Sequence, residues 1–186
     1  MDRNVFGIAK DCNFPGVYAI VNIDTGKTYI GSSGNIESRL RNHRSGILSF
    51  GNCRKMTWDY TISQHSFIGF PVFIVADRKQ IGRTENIFIR ALYDYNKGKL
   101  YNQRITTDYV LRDKTEEMET NIKLLKKIME AAPADRESII TGLHNVSFEC
   151  KQLEIAPKKE NLIEYCKKHS LIVNDLCLGF TEGKFK

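Results

Sequence analysis

Two short apolar runs separated by a turn constrain the fold of this 186-residue chain more than any other feature. The first run, Gly16–Asn22, alternates small and apolar residues as a strand does, and residues 27–31 (KTYIG) have the composition of a return strand. Residues 24–27 between them have turn chemistry, and Gly26 can take a positive φ. The sequence therefore predicts a β-hairpin.

The length of the hairpin loop decides which side chains share a face. A four-residue loop over 24–27 places Asn22 opposite Tyr29. Because side chains alternate along a strand, Tyr18 then lies on the same face as Asn22 and Tyr29. A loop longer or shorter by one residue would reverse this relation, so the pairing of the two tyrosines depends on the loop length.

The following segments predict helices and one more strand. Asn35 is a suitable N-cap for a helix that runs to about Arg44. A second helix is expected at 55–64, an apolar strand at 70–76 and a third helix at 83–95. Together these elements predict an α+β fold, a small three-stranded antiparallel sheet flanked by helices.

Three polar residues occupy unusual places in these predicted helices. Arg39 and His43 are four residues apart, hence side by side at the edge of an apolar helix face. Glu85 lies on the inward face of its helix, where a carboxylate is costly unless a cation meets it. A divalent metal ion would be a suitable partner.

Each of these residues also has a purely structural interpretation. Tyr18 and Tyr29 could be a cross-strand packing pair. Arg39 and His43 could form a solvated helix edge, and Glu85 could be a first-turn carboxylate that stabilises the helix dipole. Taken one at a time, these interpretations are the more common ones.

The charge is concentrated in the first part of the chain. Residues 1–105 carry 15 Lys and Arg and 8 Asp and Glu, a net of +7, whereas residues 106–186 carry 13 and 14, a net of −1. Such an excess suits a polyanionic partner whose phosphates supply the affinity. A basic domain without such a partner would have the same composition.

Five short motifs occur in order along residues 14–104. They are Gly16-Val17-Tyr18, Tyr29-Ile30-Gly31-Ser32-Ser33, Asn35-x-x-x-Arg39-Leu40-x-x-His43, Glu85-Asn86-x-x-Ile89 and Tyr101-Asn102. Together they resemble the signature of the GIY-YIG nuclease family. Some members carry a further histidine where residues 51–54 (GNCR) stand here, which leaves the source of the leaving-group proton open.

The resemblance implies a metal-dependent DNA endonuclease that hydrolyses phosphodiester bonds. Glu85 would bind Mg²⁺ or Mn²⁺, Tyr18 would be the general base on the attacking water, and Tyr29 would orient the water or share that role. A phenol has an ordinary pKa near 10. The metal, Arg39 and a proton-accepting His43 are therefore expected to favour the phenolate.

The remaining positions of the signature concern the substrate and the geometry. Arg39 would hold the scissile phosphate, His43 would support Tyr18 or relay its proton, and Asn102 would fix the site by a hydrogen bond. The basic residues expected to contact DNA are Arg41, Arg44, Arg54 and Lys55.

Residues 106–186 have a different, mostly helical character from the endonuclease domain expected at 1–105. A helix is predicted at 115–132, stopped by Pro133, with a stripe that suits a core or a dimer seam. The stripe consists of Met118, Ile122, Leu125 and Met129. A short helix is expected at 135–143, and a strand or a loop at 148–155.

Two further helices, near 159–169 and 171–178, weakly resemble the helix-turn-helix modules of phage and intron nucleases. A helical extension that packs on the nuclease domain, or forms a dimer contact, is an equal alternative. A site-specific homing or phage-type enzyme is the leading hypothesis. A restriction or structure-specific repair nuclease is the second, and a non-catalytic DNA-binding module the third.

The composition narrows the setting of the protein. Five scattered cysteines without a C-x-x-C pair argue against a disulfide framework and against a structural zinc site. No apolar stretch is long enough to span a bilayer or to serve as a signal peptide. We therefore expect an intracellular, cytoplasmic protein, with phage origin and action in a bacterial host as one option. DNA is the expected partner, and the oligomeric state is open.

Overall fold

The computed structural model describes residues 7–8, 12–50, 53–63, 66–75, 77–103, 105, 114–136 and 138–140. None of the helices in these ranges combines the length and the apolar character that crossing a membrane requires.

A mixed sheet forms the centre of the molecule. Its strands are β1 (Gly7–Ile8), β2 (Gly16–Asn22), β3 (Thr28–Ser33) and β4 (Phe67–Ile74), in the spatial order β1-β4-β2-β3. The central strand β2 pairs antiparallel with β3 and β4, which confirms the predicted three-stranded antiparallel sheet. The two-residue β1 adds a short parallel edge beside β4 and is too short to produce a periodic pattern in the sequence.

The four longest helices of the described residues flank the sheet. They are α1 (Ile36–Phe50), α2 (Arg54–Ile62), α3 (Ile81–Asn96) and α4 (Glu116–Glu130). The Asn35 side chain accepts a hydrogen bond from the Ser38 N–H at 2.9 Å, as expected of an N-cap. The predicted end of α1 near Arg44 is wrong, because the helix continues to Phe50. Gly46 lies inside it, and one glycine weakens a helix by only about 1 kcal/mol.

The hairpin register differs from the predicted one by two residues. Val21 pairs with Thr28 and Ile20 pairs with Tyr29, so Asn22 is not opposite Tyr29. The Asn22 side chain accepts hydrogen bonds from the N–H groups of Asp24 and Thr25, at 3.0 and 3.1 Å, and so joins the turn. A shift by two residues preserves the alternation of side chains, and Tyr18 and Tyr29 therefore share a face despite the error.

The two faces of the sheet are covered by different helices. On the face of Tyr18, the imidazole of His43 from α1 contacts the tyrosine ring, and Tyr60 from α2 packs on Phe67 with ring centroids 5.4 Å apart. On the other face, Phe88 from α3 packs on Phe73 at 5.7 Å. The tyrosine pair is thus enclosed mainly by α1 and α2.

Helix α4 packs into the same hydrophobic core as the sheet. The predicted apolar stripe is buried along its whole length, which confirms the core interpretation of Met118, Ile122, Leu125 and Met129. The Asn121 side chain donates to the Val72 carbonyl at 2.9 Å, and the Lys99 ammonium donates to the Met129 carbonyl at 2.7 Å. The domain boundary at 105/106 stays a prediction, and this packing favours a unit that includes residues 114–140.

After α4 the chain turns back onto the hairpin. Helix α4 ends at Glu130, two residues before the predicted end and shortly before Pro133. Pro133 then starts a helical segment at 133–136 that resumes at 138–140. The buried Arg136 guanidinium donates to the carbonyl groups of Ile23 and Ile128. The elements expected at 148–155, 159–169 and 171–178 lie outside the described residues.

Gly16 occupies a place in β2 where no side chain fits. A Cβ atom there would overlap the carbonyl oxygen of Phe73 in the neighbouring strand β4. The β2–β4 register shifts between Val17 and Tyr18, and this irregularity brings the two backbones close at Gly16. The packing of β2 against β4 therefore requires Gly16, the glycine of the Gly16-Val17-Tyr18 motif.

We expect Gly16→Ala to lower the free energy of unfolding by roughly 1–3 kcal/mol, because the obstructing atom belongs to the backbone and cannot rotate away. Gly82→Ala is the matched control: outside the backbone of its own helix turn, no atom of the described residues lies within 4 Å of its Cβ position, and alanine stabilises a helix by up to about 1 kcal/mol. Urea unfolding of both variants and the parent measures the difference. Equal stability of the two variants would contradict the packing argument.

Candidate active site

Tyr18 and Tyr29 form the centre of a polar cluster on one face of the sheet. Their ring centroids are 6.4 Å apart, with Tyr18 buried and Tyr29 half-buried. A Cβ atom on Gly31 would overlap the Tyr18 phenol. Gly31, which has no side chain, thus leaves room for the Tyr18 ring to lie across β3.

His43 reaches this pair from the second turn of α1. Its Nε2 atom lies 2.7 Å from the Tyr18 hydroxyl, and its ring centroid lies 5.5 Å from that of Tyr29. The imidazole is buried, although its neighbours in the chain, residues 41–42 and 44–45, are polar and exposed. The i, i+4 spacing correctly predicts that Arg39 lies beside it.

Arg39 brings a positive charge to the same cluster. Its guanidinium lies close enough to Tyr18, Tyr29 and Glu85 to interact with their side chains. Unlike His43, Arg39 is exposed. The guanidinium is therefore open to a substrate while it neighbours the phenol.

Glu85 enters from α3, which covers the opposite face of the sheet. Its Oε2 atom accepts a hydrogen bond from the Ser32 hydroxyl at 2.5 Å. The same carboxylate lies close enough to Tyr18, Tyr29 and Arg39 for their charges to interact. Four elements, β2, β3, α1 and α3, thus contribute to one cluster.

Asn102 contributes to the site indirectly, through its bonds to the backbone of β3. Its side-chain oxygen accepts from the Ile30 N–H at 2.8 Å, and its side-chain nitrogen donates to the Ile30 carbonyl at 2.7 Å. The amide therefore occupies the place of a neighbouring strand residue and holds β3 between Tyr29 and Gly31.

Burial dominates the ionisation of both phenols. Burial raises the pKa of Tyr18 well above its usual value of 10, the nearby Tyr29 raises it further, and Arg39 lowers it. The pKa of Tyr29 is raised by burial and by Glu85. Arg39 thus favours the phenolate as expected, but in the protein without a metal the loss of solvent outweighs the guanidinium and Tyr18 stays protonated.

His43 is neutral in this environment. Burial, with a further contribution from Arg39, lowers the pKa of its imidazole from 6.5 to about 4. At neutral pH one ring nitrogen is therefore free of a proton. In the tautomer that leaves Nε2 bare, the Tyr18 hydroxyl donates to it.

The carboxylate of Glu85 suits a loosely held divalent ion. Burial raises the pKa of this carboxyl group, whereas the Ser32 hydroxyl and Arg39 lower it. Within the described ranges, no three His, Cys, Asp or Glu side chains form a group that could enclose a metal. Mg²⁺ often binds through one or two carboxylates and keeps several waters, which substrate phosphates can replace, so the residues present fit such an ion.

The predicted DNA-contacting residues differ in their surroundings. Arg41 is exposed but its guanidinium pairs with the Glu37 carboxylate at 2.6 Å. Arg44, Arg54 and Lys55 are exposed, and none of them forms an ion pair with a carboxylate of the described residues. These three are therefore better placed than Arg41 to meet phosphates.

The bond between Ser32 and Glu85 is a feature of the site that the sequence does not predict. Ser32 belongs to the Tyr29–Ser33 motif, yet the bond joins residues that are 53 positions apart. No local pattern of the sequence indicates a contact over such a separation.

Comparison with known proteins supports the family resemblance for part of the chain. Residues 14–70 match the model of the GIY-YIG catalytic domain, about a third of the sequence. Neither the curated proteins nor the solved structures contain a significant match. The matched stretch includes Tyr18, Tyr29, Arg39 and His43, whereas Glu85 and Asn102 lie beyond it and join the cluster through the fold.

The buried His43 makes the stability of the protein depend on pH. The folded protein keeps the ring neutral down to about pH 4, whereas the unfolded chain binds a proton near pH 6.5. The stabilisation by the neutral ring is complete above pH 6.5 and is lost as the pH falls toward 4. Linkage predicts a loss of about 2 kcal/mol between pH 7 and pH 5.

Urea unfolding of the parent and of His43→Gln at both pH values measures this loss. Carboxyl groups titrate alike in the two proteins, so their contribution cancels in the difference. The parent should lose about 2 kcal/mol more than the variant. The same loss in both would show that His43 is not held neutral.

Proposed function

We propose that this chain is a divalent-metal-dependent DNA endonuclease that hydrolyses phosphodiester bonds at the cluster of Tyr18, Tyr29, Arg39, His43 and Glu85. The match to the GIY-YIG catalytic domain supports a nuclease in general. The convergence of Glu85 on the tyrosines and Arg39 carries the proposal, because a packing role alone does not require a carboxylate there.

Arg39 would bind the scissile phosphate. Its exposed guanidinium offers several donors in a planar fork and neighbours the Tyr18 phenol. A charge placed there stabilises the negative charge that develops on the phosphate oxygens in the transition state.

Tyr18 and His43 would move the proton of the attacking water. Tyr18 is protonated in the protein alone, so it can accept that proton only while giving up its own. The neutral Nε2 of His43, 2.7 Å away, can take the hydroxyl proton in the same step. Tyr29, on the same face, would orient the water.

Glu85 would hold Mg²⁺ or Mn²⁺, with the Ser32 hydroxyl fixing one carboxylate oxygen. When bound, such an ion acts as a Lewis acid on the phosphate and stabilises the leaving oxygen. Asn102 would hold the backbone of β3, and with it Tyr29, in position through its two bonds to Ile30. Arg44, Arg54 and Lys55 would contact the DNA backbone.

The leading biological role is that of a site-specific homing or phage-type endonuclease. The second is that of a restriction or structure-specific repair nuclease. A domain of residues 1–105 would carry the reaction, and 106–186 would include a targeting segment. A non-catalytic DNA-binding module is the alternative outside the enzymes.

Supercoiled plasmid with Mg²⁺ or Mn²⁺ tests the reaction. Arg39→Ala should lower the cleavage rate by about 10²–10³-fold, because the phosphate loses a preorganised charge. Tyr18→Phe should lower it by about 10²–10⁴-fold, because the proton acceptor is removed. Glu85→Gln should abolish cleavage at the limit of detection.

Asp94→Asn is the matched control for Glu85→Gln, since this exposed carboxylate on α3 pairs with Arg90 and lies away from the cluster. It should cut like the parent. DNA that is shifted in a gel yet uncut by the parent would establish the binding module instead. Discrete fragments would support site specificity, and scattered cutting would contradict the homing or phage-type role.

A further inference from the structure

Two large apolar side chains on α2 are exposed to solvent. Trp58 is 69% exposed and Ile62 is 71% exposed, the highest values among the large hydrophobic residues that the structure describes. They are four residues apart and therefore lie on the same face of the helix. Burial of either would be favourable, so this face suits contact with another molecule.

The helix that carries them begins beside the tyrosine cluster. The Cys53 thiol, just before α2, donates to the Tyr101 carbonyl at 3.0 Å and lies close enough to Tyr29 to influence its pKa. A rise of about 1.5 Å per residue places Trp58 about one and a half turns further along. The exposed face of α2 thus extends outward from the candidate active site.

The charges on this face are positive. Arg54 lies four residues and Lys55 three residues before Trp58, and both are exposed. The acidic residue of the helix, Asp59, is turned to the Lys27 ammonium and the Tyr101 hydroxyl, each at 2.8 Å. A second copy of this face would be repelled, whereas a polyanion would be attracted.

We infer that the outer face of α2, formed by Arg54, Lys55, Trp58 and Ile62, binds the DNA beside the cleaved bond, with the Trp58 indole stacked on a nucleobase. The inference rests on the proposed nuclease function. Lysine and arginine suffice for phosphates, but an exposed indole adds affinity only through a base face. In an undistorted duplex these faces are covered, so the bound DNA presents an unstacked base at this point.

Such a base has two sources, a strand that is unpaired before binding or a duplex that is kinked on binding. Both present the same chemistry to the indole. Binding to a duplex with a short unpaired segment, compared with the fully paired duplex of the same sequence, distinguishes them. Tighter binding to the first indicates a branched or gapped substrate, and equal binding indicates a kink; either result agrees with the stacking.

Trp58 is the single tryptophan of the chain, so its fluorescence reports on this contact directly. The parent protein is titrated with each DNA in EDTA, which prevents metal-dependent cutting. We expect quenched emission and protection from acrylamide when DNA binds. Trp58→Ala should weaken binding by roughly five- to hundredfold, and Trp58→Phe by less.

Tyr95→Ala is the matched control, an exposed aromatic residue on α3 that packs against the Lys126 ammonium. It should leave the dissociation constant unchanged. Circular dichroism checks the fold of each variant, and the fluorescence of the parent requires no variant at all.

Several results would overturn the inference and leave the nuclease proposal intact. One is DNA binding with unchanged emission and with equal affinity of the parent and Trp58→Ala. Another is protection of Trp58 before DNA is added. Protection that depends on protein concentration would assign the face to a second copy, and protection that does not would assign it to residues 141–186. A parent protein that neither binds nor cuts DNA would refute the proposed function itself.

Discussion

The bond between the Tyr18 hydroxyl and His43 Nε2 is the interaction on which the rest of the site depends. It joins the central strand to α1 at 2.7 Å, inside a region closed to solvent. It requires Gly31, because any side chain there would occupy the space of the phenol. It also sets the position of Arg39, which is one helical turn from His43 and contacts the same tyrosine. One buried contact thus organises two strands and a helix.

The same burial determines the electrostatics. It keeps both tyrosines protonated and the imidazole of His43 neutral, so that the free protein holds few charges in its interior. Arg39 and Glu85 remain at the border, where solvent or a ligand can reach them. The arrangement suits a polar reaction, because a phosphate and a cation would enter a site whose dipoles are already oriented.

The edge strand β3 connects this chemistry to the fold. On one side it pairs with β2, and on the other it meets residues 100–102: Leu100 bridges Thr28, and Asn102 bonds to both backbone groups of Ile30. Ser32, further along the same strand, holds the Glu85 carboxylate. A full neighbouring strand would take the backbone groups of Ile30 that Asn102 uses, so the position of β3 at the end of the sheet is what allows this side chain to hold it.

Local patterns in the sequence determined the hairpin, the helices and the shared face of Tyr18 and Tyr29, because periodicity and turn chemistry act over a few residues. The shared face was predicted correctly although the register was wrong by two, since parity alone decides it. Only the tertiary structure decided which groups meet across long separations, such as Ser32 with Glu85 and α4 with the sheet. It also decided that the pKa values of Tyr18 and Tyr29 are raised rather than lowered. Desolvation depends on everything packed around a group, and no short stretch of sequence contains that information.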